Sequence, residues 1–182
     1  TSLSPDAYRL DITANNIQIT SAHDVGTHNA LVSLLFLSIT YDAIPCGVIH
    51  DAPRFEWRGQ HLDCARHFFA PDTILRLLDV MALLKMNRFH WHFADDEAFR
   101  IPLASLPELS GLTTRGNDQI VPNVFGGNTV VNGVYTHHDI DRIQQLAASL
   151  HIDIVPEIEV PAHALGLCRL FPDTRDPNDT GT

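Results

Sequence analysis

Basic side chains are scarce in this sequence. Its 182 residues hold 12 Lys+Arg against 22 Asp+Glu, a formal charge of −10. No cluster of Lys and Arg is available to neutralise phosphates, which excludes a nucleic-acid binder. Long apolar runs are missing too. The longest, Ala30 to Ile39, is broken by Ser33 and Ser38 and falls far short of the roughly 20 residues a membrane-spanning helix needs. Cys46, Cys64 and Cys168 are an odd, widely spaced set with no CxxC pair. They exclude a disulfide framework and read as small, partly buried thiols. The chain starts at Thr1, and no charged segment followed by an apolar one resembles a secretory signal. The expectation is a piece of something longer. What is present suits packing: 45% hydrophobic and 19% charged residues are too apolar a mixture for disorder. The length suggests one domain, or one domain plus part of another.

Residues 1–50 read as the end of a small α+β domain. Tyr8 to Thr13 alternates, Ala14-Asn15-Asn16 makes a turn, and Ile17 to Thr20 alternates again, the pattern of a hairpin. Gly26 to Ile39 predicts a buried helix through Leu31, Leu34, Leu35 and Ser38, and a short strand ends near Ile49. Asp51 to Phe55 reads as a linker, with Pro53 biasing its neighbour to extended structure.

From 51 to 182 the texture changes to repeated strand-then-helix units. Trp57 to Leu62 predicts a strand. Pro71 opens a helix to about Met86, with Asp72 suited to its N-terminus and Ile74, Leu75, Leu77, Leu78, Met81 and Leu84 apolar. Asn87 to Phe93 predicts a second strand, and a Gly-, Asn- and Pro-rich loop runs from about Pro102 to Gly133. Thr136 with Asp139 predicts an approximate capping box, opening a helix buried through Ile140, Ile143, Leu146, Ala147 and Leu150. Ile152 to Val160 is a nearly continuous apolar run, as in a parallel strand buried on both faces. Three β-then-α units predict a parallel sheet with helices outside it. Polar clusters follow each strand, where a (β/α) barrel keeps its active site. A whole barrel needs about 250 residues, so the fold class is α/β, an incomplete (β/α)8 barrel with its first three units.

Three clusters carry the chemistry. Alternation along His90-Trp91-His92 turns His90 and His92 to one face, with Asp95, Asp96 and Glu97 just beyond. Two histidines near carboxylates suit a divalent metal, as in a metal-dependent barrel hydrolase, or hydrogen bonding inside a barrel. No further ligand stands at a recognisable spacing, so no metal is expected. The acidic turn itself reads either as functional or as solvated. Arg66 can fork onto vicinal hydroxyls or a carboxylate, or pair with Asp63 or Asp95. Glu157 and Glu159 fall on one face of their strand, where two like carboxylates should push one pKa up unless paired.

Several strings together resemble one family. DAPRFEWRGQHLDCARHFFAPDTILRLLDVMALLKMNRFHWHFADDEAFRI, then GVYTHHDIDRI, then IVPEIEVPAHA, are similar to the family 20 glycoside hydrolases, the β-N-acetylhexosaminidases. The resemblance runs from Tyr8 to about Pro172, weakly before Asp51 and densely after it. WRG, LDxARH, KMNxFHWHxxDD and PEIxxPxH in this order and spacing are highly specific.

The resemblance implies an N-terminal α+β domain on a (β/α)8 barrel. It also implies hydrolysis of terminal β-linked N-acetylglucosamine or N-acetylgalactosamine, with no cofactor. The sugar's own acetamido oxygen attacks the anomeric carbon, an exception to the two-carboxylate scheme. A Glu acts as general acid/base, and the Asp before it orients the acetamido group. By resemblance Arg66 holds ring hydroxyls, and Asp95 with His163 supports the general acid. Glu159 stands where most relatives have an Asp that braces the orienting Asp; the extra methylene shifts that brace by about an ångström. Ala162 replaces a usual Gly, which suggests a different turn at His163. His92 and Trp91 match barrel positions of packing and support. No Gly-Gly-Asp-Glu-like segment occurs in the chain, and Asp95-Asp96-Glu97 aligns with the family's supporting acids. The expectation is therefore a β-N-acetylhexosaminidase fragment, with no catalytic acid/base of its own and no hydrolysis alone. The alternatives are a non-catalytic truncated homologue that binds sugar weakly and, behind it, the metal-dependent hydrolase.

Overall fold

A computed structural model of the chain describes residues 4–112, 114–115 and 131–178. It divides into two compact units, Thr1–Arg58 with Val80–Asn87, and Gly59–Asp79 with Arg88–Thr182. The first is an antiparallel sheet with a helix. β1 (Tyr8–Ile12) is its central strand, between β2 (Ile17–Ser21) and β3 (Gly47–Asp51). The period-2 pattern works as read: Tyr8, Leu10 and Ile12 are buried, while Arg9 and Asp11 face out and pair at 2.5 Å. The expected turn is closed by Thr13, whose Oγ1 accepts from the Asn16 amide at 3.0 Å.

α1 (Asp24–Thr40) packs beside this sheet, but not on the predicted face. Gly26, Asn29, Ala30 and Val32 are buried, whereas Leu31 and Leu35 are 54% and 46% exposed. The helix is apolar nearly all round, so periodicity gave no single stripe to choose. Close approach chose it instead. A Cβ on Gly26 would lie 2.5 Å from the Ala7 carbonyl oxygen, so only glycine lets α1 sit there.

The segment after β3 stays in this unit through a polar knot. The ammonium of Lys85, the chain's only lysine, donates to Ser33 at 2.6 Å and Tyr8 at 2.9 Å, and pairs with Asp51 at 3.2 Å. Arg58 pairs with Asp6 at 2.7 Å and donates to the Lys85 carbonyl at 2.7 Å.

The second unit is built on a three-stranded parallel sheet. β4 (Gly59–Asp63) and β10 (Asp153–Glu157) flank β5 (Arg88–His92). β5 is followed by a small hairpin, β6 (Ala94–Asp95) with β7 (Ala98–Phe99), and later by β8 (Thr114–Arg115) with β9 (Val131–Asn132). Residues 116–130 of the predicted Pro102–Gly133 loop lie outside the described residues; a 3₁₀ turn occupies Pro107–Leu112.

α2 (Pro71–Leu83) buries Ile74, Leu78 and Met81 as predicted but ends before Met86, and Leu84 is 62% exposed. α3 (His137–Ser149) begins with the full reciprocal capping box of Thr136 and Asp139. It buries Ile143 and Ala147, with Ile140, Leu146 and Leu150 half-buried. Both helices stop through the same turn. Lys85 and His151 adopt φ 55 and 58, the left-handed conformation. Amides two residues past each cap reach back, Met86 to Met81 and Ile152 to Ala147, at 2.9 and 2.8 Å. Each stop delivers the chain into the next parallel strand.

β10 is shorter than predicted. It leaves the sheet after Glu157, and Ile158 and Val160 are 56% and 70% exposed rather than buried on both faces. Behind the strands, Trp91, Phe93, Phe99 and Tyr135 form an aromatic cluster. The buried Arg100 guanidinium ties it to the loop after β4, donating to the Ala65 carbonyl at 2.7 Å and the Gly133 carbonyl at 3.1 Å. A Cβ on Gly133 would fall inside the Phe68 ring. α4 (Leu165–Leu170) is followed by a 3₁₀ turn at Pro172–Thr174. Among the described residues, no helix is long and apolar enough to cross a membrane.

Candidate active site

The sheet register brings the three sequence clusters together. Asp63, His92 and Glu157 are direct cross-strand partners at the C-terminal ends of β4, β5 and β10. Just past β4, Asp63 turns the chain. Its Oδ1 accepts from the Ala65 and Arg66 amides at 3.0 Å each, and its Oδ2 takes Arg66 Nη1 at 2.8 Å. Burial pushes the Asp63 carboxyl up, but these Arg66 hydrogen bonds outweigh it and hold the group below its ordinary value.

Arg66 Nη2 lies 2.5 Å from Asp95 Oδ2, and the Asp95 side chain has no solvent exposure. The same Asp95 oxygen meets His92 Nε2 at 2.9 Å. On the other side of the ring, His92 Nδ1 meets Glu157 Oε2 at 2.8 Å. Burial opposes a charged His92, yet hydrogen bonds to Asp95 and Glu157 prevail and raise its pKa. With a carboxylate on each nitrogen, only the doubly protonated ring donates to both.

His163 completes the group. Its Nδ1 lies 3.3 Å from Asp95 Oδ1 and 3.4 Å from Arg66 Nη2. The residue has φ 52, a left-handed conformation that costs a non-glycine residue about 1–2 kcal/mol. This is the turn that Ala162 raised in the sequence. Asp96 holds the turn, since its Oδ1 accepts from the Leu165 amide and its carbonyl from the Gly166 amide, both at 3.0 Å. The two adjacent acids thus divide their work: Asp95 faces Arg66, His92 and His163, and Asp96 fixes the loop that carries His163.

Of the residues singled out in the sequence, Arg66, Asp95 and His163 converge on one another. Glu159 is half-buried beyond the end of β10, beside Glu157. Of these like carboxylates Glu157 is the paired case, the condition under which no upward push is expected. Burial raises it, but His92 and then His90 and Glu159 bring it below its ordinary value. His67 stands apart, its ring edge-on to Phe69 at 4.8 Å. Sequence reasoning missed His61, whose Nε2 is 3.6 Å from Glu157 Oε2. Its pairing with His90 is a property of register, which spacing along the chain does not reveal.

A buried carboxylate that holds a guanidinium and an imidazole at the open end of a parallel sheet suits recognition of a neutral polyol. Residues 55–180 match the model of glycosyl hydrolase family 20, catalytic domain. The chain is 36% identical over 177 residues to a β-hexosaminidase of Vibrio furnissii, covering 94% of this chain and 29% of that protein. It is 33% identical over 175 residues to a β-hexosaminidase of Akkermansia muciniphila, covering 94% and 34%. The crystal structure of a Vibrio harveyi exo-β-N-acetylglucosaminidase in complex with N-acetylglucosamine superposes with a TM-score of 0.84 at 33% identity. That match covers 98% of this chain and 29% of that one. The chain spans about a third of the length of these curated relatives.

Proposed function

The chain belongs to glycosyl hydrolase family 20, and from that premise we propose that it is the sugar-holding part of a β-N-acetylhexosaminidase. In this reading residues 1–50 end a non-catalytic α+β domain, and residues 51–182 supply the first three units of a (β/α)8 barrel. The substrate is a glycoside with a terminal β-linked N-acetylglucosamine or N-acetylgalactosamine. The reaction is substrate-assisted: the acetamido oxygen attacks the anomeric carbon of its own ring. That attack is unimolecular and needs no protein nucleophile, only a bound geometry that presents the oxygen to the carbon.

The observation that carries the reading is the convergence of Arg66 and His163 on Asp95, at 2.5 and 3.3 Å. Arg66, oriented by Asp63 and Asp95, has guanidinium hydrogens in a fixed fork for the ring hydroxyls. His163 Nδ1 sits between Arg66 Nη2 at 3.4 Å and Asp95 Oδ1 at 3.3 Å, which turns the ring so that Nε2 points away from the pair. That nitrogen is the group to face a general acid and tune it. Glu159 serves as a brace for the acetamido-orienting acid. The general acid/base is assigned to no residue here, since no Gly-Gly-Asp-Glu-like segment is present. The 182 residues alone accordingly hydrolyse nothing.

The test is to sequence the gene past the codon for Thr182 and assay the full reading frame on an aryl N-acetyl-β-glucosaminide. A frame reaching a Gly-Gly-Asp-Glu-like segment, with hydrolysis that Arg66→Ala reduces chiefly by raising KM, supports the reading. A stop after Thr182 overturns hydrolysis and leaves a non-catalytic homologue. A full-length protein that is inactive overturns it as well.

A further inference from the structure

Three imidazoles crowd one oxygen at the heart of the second unit. Glu157 Oε2 has His90 Nε2 at 2.7 Å, His92 Nδ1 at 2.8 Å and His61 Nε2 at 3.6 Å. The imidazoles come from β4 and β5 and the carboxylate from β10, His61 beside His90 and His92 beside Glu157. One donor atom each from His61, His92 and Glu157 lies within 4.8 Å of the others. Sequence spacing offered only the His90/His92 pair; the register adds His61 and the carboxylate.

A carboxylate oxygen has two lone pairs, so it hydrogen-bonds well to two imidazoles and leaves the third outside range. A divalent ion between His61, His92 and Glu157 engages all three together. His92 is already oriented for this. Its Nε2 is turned to Asp95 at 2.9 Å, so an ion that displaces the Nδ1 proton shared with Glu157 finds the Nε2–H kept on Asp95 and the Nδ1 lone pair aimed at the cluster. A carboxylate behind a ligating histidine is the usual way a metal site fixes tautomer and ring angle. Imidazole and carboxylate donors without thiolate suit zinc or cobalt rather than calcium or magnesium. Tetrahedral bonds of about 2.0–2.1 Å set donors about 3.3 Å apart. The His61–Glu157 separation of 3.6 Å fits that nearly as it stands, and the His92–Glu157 one of 2.8 Å must open by about half an ångström. The His61 and His90 side chains are 50% and 39% exposed, which gives an ion a way in and the rings room to move.

We infer that His61, His92 and Glu157 form a three-residue binding site for a zinc-like divalent transition metal, with His90 held on Glu157 beside it. Among the described residues, the site meets the sugar-holding group through the ring of His92 and through Glu159 beside Glu157. It does not rest on the hydrolase reading, and its test involves no sugar. The metal-free 182-residue chain is titrated with Co²⁺, followed by its visible d–d absorption, and the ion is then displaced with Zn²⁺. Saturation at one equivalent with an intense tetrahedral spectrum is expected. His61→Asn should weaken binding at least about tenfold, and a His137→Asn/His138→Asn variant, removing the adjacent pair on α3, should not. Weak octahedral spectra, no saturation at one equivalent, unchanged affinity in His61→Asn, or loss in the α3 variant would each overturn the site. The wild-type titration decides even if His61→Asn does not fold.

Discussion

Arg66 and Asp95 form an ion pair of 2.5 Å in which the carboxylate is fully buried and the guanidinium one-third exposed. The arrangement gives Asp95 a structural part, because His92 depends on the same oxygen. Removing one member of a buried charge group strands the others, at a cost of about 3 kcal/mol. Asp95→Ala should therefore destabilise the chain by about that amount at neutral pH. Urea unfolding measures it; a loss below about 1 kcal/mol would mean that the group contributes little to folding.

Much of this arrangement was legible in the sequence, and the reasons are local. The alternation of Tyr8 to Ile12, the Thr136–Asp139 box and the grouping of Arg66, Asp95 and His163 all depend on residues close in the chain or on a specific ordered motif. What was not legible depends on register and close approach. Which face of α1 is buried is decided by Gly26 against the Ala7 carbonyl, not by the hydrophobic pattern. The place of His61 beside Glu157 follows from strand pairing, and the role of Asp96 from two backbone amides 69 and 70 positions further on.

Lys85 tests the helix stop separately from the polar knot. Its φ of 55 is unfavourable for any residue with a Cβ, and its ammonium is held by Tyr8, Ser33 and Asp51. Both Lys85→Ala and Lys85→Gly lose the ammonium, but only glycine removes the backbone cost. The glycine variant should be more stable than the alanine variant by about 1 kcal/mol. Equal midpoints in parallel urea titrations would argue against a strained stop.

Gly133 tests the packing that locks the loop after β4. The ring of Phe68 occupies the position of a Cβ there, and the Gly133 carbonyl accepts from Arg100 Nη1. Gly133→Ala forces Phe68 aside and should cost about 1–3 kcal/mol. Phe68→Ala in the same background should recover part of that loss, a coupling that a double-mutant cycle reads directly.

Acid should loosen the first unit through Asp51. Its hydrogen bond from Tyr8 outweighs burial and, with Lys85, holds the carboxyl below the ordinary 3.8. A depressed carboxylate binds its proton more weakly in the folded state than in the unfolded one. Its contribution is thus complete above the unfolded value and is lost as pH falls from there through the folded one. Asp51→Asn removes this component at neutral pH, so the variant should start less stable and lose less between about pH 5 and pH 3. Urea midpoints of both proteins across that range check the sign. Parallel curves would mean that Asp51 has the same pKa folded and unfolded, and that the Tyr8 and Lys85 contacts do not favour its charged form.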